Sequence, residues 1–200
     1  MDKVQQRKQA YAARQAQTDK DELSRRICSR FVAQPWYAAA KTVLWYVHCR
    51  SEVRTVQCLS QALAEGRQRI VVPYCTQDEE GRRQLGLWWL NSLDELQPGM
   101  WNILEPPRQR WQEAERMIAP AELDLVMVPG VAFDRQGGRL GNGAGYYDRL
   151  LGKLRADAVS VGVCYQSQLL PEVIMQAHDQ RMDFVLTEQA LFDCRQWQQR

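Results

Sequence analysis

The chain has 200 residues, 45% of them hydrophobic, which is enough to bury a sizeable core and fits one α/β domain spanning 1–200. The net charge is only +2, and although eight Lys/Arg stand against four Asp/Glu in the first thirty residues, no aromatic-interleaved basic patch accompanies them, which argues against nucleic-acid binding. No window nears the ~18 consecutive apolar residues of a membrane span, and no apolar leader core opens the chain, so the expectation is a soluble cytoplasmic protein, a monomer with a dimer as the alternative. The six cysteines form no CxxC pair and the two histidines no zinc spacing, so reduced and largely buried thiols are expected.

In chain order, Asp2 to Ala16 has helix-forming composition, and Thr18 to Glu22 supplies a cap for a second helix reaching Val32. Gln34-Pro35-Trp36 breaks that helix, and the apolar run Thr42 to Val47 reads as a central strand covered on both faces. Val53, Val56, Leu59 and Leu63 recur at helical spacing up to Gly66, and Arg69 to Pro73 is a second buried strand, completing a β–α–β unit. A polar turn at 77–81 and a strand from Gln84 to Leu90 follow; Trp88, Trp89 and Trp101 are either pocket walls for a flat ligand or, more commonly, packing residues. Leu123 to Gly130 is a short strand ended by Pro-Gly. Tyr146 to Arg155 and a stretch around Leu169 to Gln176 have helical spacing, and strands are expected at Ala158 to Cys164 and Asp183 to Thr187. The alternation predicts a mainly parallel sheet with helices on both faces, and ligands beyond the C-terminal ends of its strands.

The densest chemistry lies between Arg139 and Asp148. A cation, three alternating glycines, two phenols and a carboxylate are packed between a strand and a helix. Glycines let backbone N–H groups approach an anion closely, arginine can fork onto phosphate oxygens, and a carboxylate can hold a cation those oxygens share. Neither the dinucleotide fingerprint nor the P-loop ending is present. Glu52, just past the first strand, falls where the strand-end rule puts ligands. Asp183 reads equally well as part of the site or as a strand-end structural carboxylate.

The segment Val128 to Asp134, running into Arg139-Leu140-Gly141-Asn142-Gly143-Ala144-Gly145-Tyr146-Tyr147-Asp148, resembles the central signature of the 5-formyltetrahydrofolate cyclo-ligase (5,10-methenyltetrahydrofolate synthetase) family. Lys3 to Arg7, Glu52 to Thr55, Ile103 to Pro106 and His178 to Glu188 echo it over nearly the whole chain. The resemblance implies an α/β fold of the NagB/RpiA/CoA-transferase-like group. It also implies ATP-dependent closure of 5-formyltetrahydrofolate to 5,10-methenyltetrahydrofolate with Mg2+. By the same resemblance Lys3, Arg7 and Arg139 to Tyr147 would hold ATP, while Val47, Glu52 and Asn142 to Tyr146 would contact the folate; Trp101, by its flat ring alone, is a further candidate to stack on it. Arg139, Tyr147 and Asp148 would form the catalytic group, and Asp148 and Asp183 would position magnesium. The chain departs from the family at Asn142, where arginine is common, and at Ala144, where glycine or lysine is. Ala144 would be strained if its φ were positive. These departures motivate a second reading, a relative that binds folate or nucleotide without turnover, whereas the retained charged residues favour the enzyme.

Overall fold

The computed structural model describes residues 2–197; the glutamine-rich tail after Cys194 runs on into 198–200, outside the described residues. Helix α1 (Lys3–Ala16) starts at a capping box in which the Asp2 carboxylate accepts from the Gln5 amide and the Gln5 side chain accepts from Asp2 N–H. Its buried face carries Gln6, Ala10 and Arg14 rather than large apolar residues. Gln6 docks it by accepting from the Ile174 amide and donating to the Glu172 carbonyl. Helix α2 (Lys20–Val32) buries Ser24, Ile27, Cys28 and Phe31, the i, i+3, i+4, i+7 stripe of an amphipathic helix. Pro35 opens the short α3 (Pro35–Ala39).

Strand β1 (Thr42–Leu44), helix α4 (Val56–Glu65) and strand β2 (Arg69–Gln77) form the expected β–α–β unit, β1 and β2 being parallel. Helix α4 stops at Gly66, whose φ of 61° is the left-handed cap glycine supplies. Strand β3 (Arg83–Trp89) returns antiparallel, followed by the small hairpin β4 (Gln97–Pro98) and β5 (Leu104–Glu105). Next come β6 (Leu125–Val128), the hairpin β7 (Ala132–Phe133) and β8 (Arg139–Leu140), α5 (Tyr146–Leu151), β9 (Val159–Val163), β10 (Phe184–Leu186) and β11 (Leu191–Asp193). The main sheet runs β11-β10-β9-β6-β1-β2-β3, parallel from β10 to β2 with an antiparallel strand at each edge.

Side chains of the central strands alternate between two cores. Val43, Ile70, Val72, Leu125 and Met127 meet Ile27, Phe31 and Leu59 from α2 and α4, whereas Leu44, Val71, Val126 and Val128 meet Leu150 of α5 with Ile118 and Leu123. The second face is thus covered by one short helix and irregular chain.

Two expected helices differ from what forms. The chain after Gly145 is helical only to Leu151 and turns at Gly152, not Arg155. Leu169 to Gln176 is not helical. Pro171 disfavours the α conformation in the residue before it, Leu170 donates to the Phe133 carbonyl, and the buried Asp134 carboxylate takes the Val173 amide. The cysteines are all free, but only Cys28, Cys164 and Cys194 are buried; Cys49, Cys58 and Cys75 are partly exposed, contrary to the expectation of largely buried thiols. Among the described residues no helix is long and apolar enough to cross a membrane.

Candidate active site

Beyond the C-terminal ends of β1 and β6 lies a cavity of about 430 Å³, within the range of small-molecule sites. Its walls include Lys3, Arg7, Val47, Glu52, Trp101 and the whole run Arg139 to Asp148. One expected site residue is missing from it. Asp183 lies just before β10, at the N-terminal end of a strand parallel to its neighbour β9 and so away from the cavity, which lies past the strands' other ends. Its carboxylate, 6% exposed, accepts at 2.8 Å from both the amide and the hydroxyl of Ser160. Asp183 thus does not line the cavity that holds Asp148, and its carboxylate accepts from Ser160 at the strand end. Of the three tryptophans, Trp88 is buried in the core and only Trp101 reaches the cavity.

The β7–β8 hairpin delivers Arg139. Asp134 Oδ1 accepts from the amides of Gln136 and Gly138, fixing the tight turn. Arg139 Nη2 then donates to Asp148 Oδ2 at 2.8 Å, with its guanidinium over the Tyr147 ring at 5.8 Å. Its Nε is buried without a hydrogen-bond partner among the described residues.

In the glycine loop the protein uses the carbonyls. Gly141 O accepts from Arg7 Nε at 2.9 Å and Ala144 O from Arg149 Nη2 at 2.7 Å. The amides of Gly141 to Gly145 donate to no protein acceptor among the described residues. Gly143 and Gly145 sit at φ of 92° and 67°, where a side chain is strained. Ala144 is not among the positive-φ residues, so the departure there carries no backbone strain. Because α5 has only six residues, the loop amides and arginines, more than a helix dipole, make this wall electropositive.

Helix α1 runs along the cavity. Lys3, Arg7, Tyr11 and Arg14 all line it, and the distance from the first to the last is about 16 Å at 1.5 Å per residue. Lys3 Nζ pairs with Asp179 at 2.5 Å. Burial pushes the Asp179 carboxyl up, but the Lys3 ammonium and the Gln176 amide outweigh it and leave it below its ordinary value. Sequence reasoning found Lys3 and Arg7 and missed Tyr11 and Arg14. The i, i+4, i+8, i+11 spacing on one helical face was the available signal.

Glu52 lies in the loop after β1. Its Oε2 accepts from the Cys49 amide at 2.9 Å, and its Oε1 is 3.8 Å from Arg14 Nη1. Burial raises its pKa, opposed in part by the Cys49 amide and by Arg14. The Tyr147 phenol is raised well above its ordinary range, first by burial and then by the Glu52 charge, so at neutral pH it is a neutral O–H donor. Trp101, 57% exposed, projects into the cavity mouth from a segment in which both Trp101 and Asn102 have positive φ, 57° and 60°. Strained backbone of this kind collects at ligand clamps.

No group of three or more His, Cys, Asp or Glu side chains suited to a metal occurs among the described residues. Asp148, already held by Arg139, is the one carboxylate of the expected pair in the cavity. That donor set does not amount to a protein-built two-carboxylate magnesium site. A cation carried by ATP and held mainly by phosphates and water needs no more than one such carboxylate.

A model of the 5-formyltetrahydrofolate cyclo-ligase family matches residues 1–188. The chain is similar to a probable 5-formyltetrahydrofolate cyclo-ligase of Schizosaccharomyces pombe, 31% identical over 180 residues that cover 84% of each chain. It is also similar to a 5-formyltetrahydrofolate cyclo-ligase of Mycolicibacterium smegmatis, 34% identical over 149 residues and 74% of each. The fold matches the solution structure of Aquifex aeolicus 5,10-methenyltetrahydrofolate synthetase with a TM-score of 0.80 and 29% identity, over 98% of this chain and 94% of that one. With its signature loop and α1 lining one cavity at the C-terminal edge of a mainly parallel sheet, the chain belongs to the 5-formyltetrahydrofolate cyclo-ligase family.

Proposed function

We propose that this protein closes the N5-formyl group of 5-formyltetrahydrofolate onto N10, driven by ATP, yielding 5,10-methenyltetrahydrofolate, ADP and phosphate. The observation that carries the reading is the coexistence in one cavity of two chemically distinct sets of groups. Lys3, Arg7, Arg139 and the uncommitted loop amides suit a triphosphate, and the carboxylate of Glu52 with Val47 and Trp101 suits a flat amino-pyrimidine with paired donors.

A formamide oxygen is a poor leaving group. In the proposed reaction that oxygen attacks the γ-phosphorus of ATP and ADP departs. N10 then attacks the activated formyl carbon, and phosphate leaves as N10 loses its proton. Phosphoryl transfer of this kind asks the protein for alignment and charge neutralisation rather than a covalent nucleophile. Arg139, oriented by Asp148, would meet the transferring phosphoryl oxygens, and the neutral Tyr147 hydroxyl would supply a donor beside them. Magnesium, when bound with ATP, would supply further charge neutralisation, with Asp148 the residue available to it. Asn142 and Gly143 to Tyr146 would lie between the two substrates.

The test is the absorbance of 5,10-methenyltetrahydrofolate appearing from 5-formyltetrahydrofolate, with and without ATP and magnesium. ATP-dependent formation supports the ligase. Binding of both substrates without turnover would instead assign the chain to a binding-only role and make Asn142 the first residue to change to arginine.

A further inference from the structure

Arg14 has no part in the chemistry proposed above, yet its side chain is enclosed in the cavity wall at 4% exposure. Burying a guanidinium is costly unless it is fully engaged, and this one is engaged in a particular way. Its Nε donates to Ser51 Oγ at 3.0 Å and its Nη1 to the Gly130 carbonyl at 3.2 Å, while the same Nη1 faces Glu52 Oε1 at 3.8 Å. Its Cζ lies 5.0 Å from the centroid of the Tyr11 ring, whose hydroxyl donates to the Asn142 side chain. One cation therefore ties α1 to the loop after β1 and to the turn after β6.

Glu52 is surrounded from several elements. The Cys49 amide and thiol lie on its own loop, the Tyr46 and Tyr147 phenols come from the β1 extension and α5, and the Tyr165 hydroxyl donates to its backbone carbonyl at 3.2 Å. Arg14 is the cation that acts on its carboxylate. The other neighbours are neutral or would repel it.

We propose that Arg14 is a positioning residue of the folate subsite: it holds Glu52 as an oriented carboxylate and fastens it to α1, the helix that also carries Lys3 and Arg7. The inference rests on the cyclo-ligase reading for what Glu52 binds, but not for the Arg14–Glu52 coupling itself. Helix α1 is also anchored through Gln6 to the 172–174 segment, so Lys3 and Arg7 keep their places when Arg14 is changed.

Arg14→Gln and Arg14→Lys test it with two independent readouts. In the substrate-free protein, the carbon-13 resonance of the Glu52 carboxyl, assigned with Glu52→Gln, should titrate at higher pH in Arg14→Gln and near the wild-type midpoint in Arg14→Lys. By tryptophan fluorescence the Kd for 5-formyltetrahydrofolate should rise ~10-fold in Arg14→Gln, the range of a lost charged contact. It should recover partly in Arg14→Lys and show no added loss when Arg14→Gln is combined with Glu52→Gln, while the Kd for ATP stays put. An unmoved Glu52 titration, or equal loss of ATP and folate binding, overturns the proposal. If the wild type fails to bind 5-formyltetrahydrofolate, the proposed function has failed and the titration alone decides the role of Arg14.

Discussion

Arg139 and Asp148, nine positions apart, are joined at 2.8 Å on the cavity wall, and the geometry of the glycine loop between them makes that pairing possible. Asp148→Ala would leave the guanidinium, whose Nε already lacks a partner, free to turn away from the cavity. The expected outcome is a fall in kcat/KM of about 10²-fold, the scale of losing one preorganised charge-stabilising group. Continuous absorbance of the methenyl product measures it. Arg139→Lys should also lose activity, because an ammonium cannot reproduce the fork.

Gly145→Ala tests the loop backbone. At φ of 67° a Cβ costs about 1–2 kcal/mol, while its clash with Arg149 Nη1 at 2.8 Å is relieved by moving a flexible side chain. Urea unfolding should show a loss of that size, and the KM for ATP should rise with folate affinity unchanged. Ala144→Gly, at a position without positive φ, should yield no stability gain.

The raised pKa of Glu52 gives a pH prediction. Burial makes the native state bind this proton more tightly than the unfolded chain, with the Cys49 amide and Arg14 opposing. Stability is therefore lost as pH rises from the unfolded carboxyl value, about 4.3, through the raised native one. Glu52→Gln removes that loss. Its thermal midpoint should equal or exceed that of the wild type at neutral pH, the difference closing as pH is taken below about 4. Its affinity for 5-formyltetrahydrofolate should fall ~10-fold or more. Thermal scans across pH and a fluorescence titration check the two halves.

Asp183→Ala should behave as a structural change. Loss of the bonds to Ser160 leaves buried donors unsatisfied, at about 1–3 kcal/mol. The magnesium concentration for half-maximal activity should not move. A shift in that concentration with stability intact would return Asp183 to the metal site.

How much was legible in the sequence depended on the range of the interaction involved. The β–α–β unit of β1, α4 and β2 was readable because apolar periodicity and the Gly66 cap are local properties. The pairing of Arg139 with Asp148 lay within one ten-residue motif. Leu169 to Gln176 misled because its apolar spacing is helical, while the groups that hold it extended, the Phe133 carbonyl and the Asp134 carboxylate, come from another part of the chain. Asp183 is separated from the cavity for a related reason: its place beside the motif is sequential, and the direction of β10 puts it at the end of the strand opposite the cavity.

Elements whose causes lie within a few residues of one another are written into the local sequence. These include the capped α1, the alternating strands that divide the two cores, and the glycine loop with its uncommitted amides. Which of the charged residues share a cavity is instead fixed by long-range packing. Arg14 and Ser51, or Lys3 and Asp179, meet across separations of 37 and 176 residues. Chain closure over such distances is set by how α1 docks on the 172–174 segment and by the parallel crossovers of the sheet, and no local pattern encodes it.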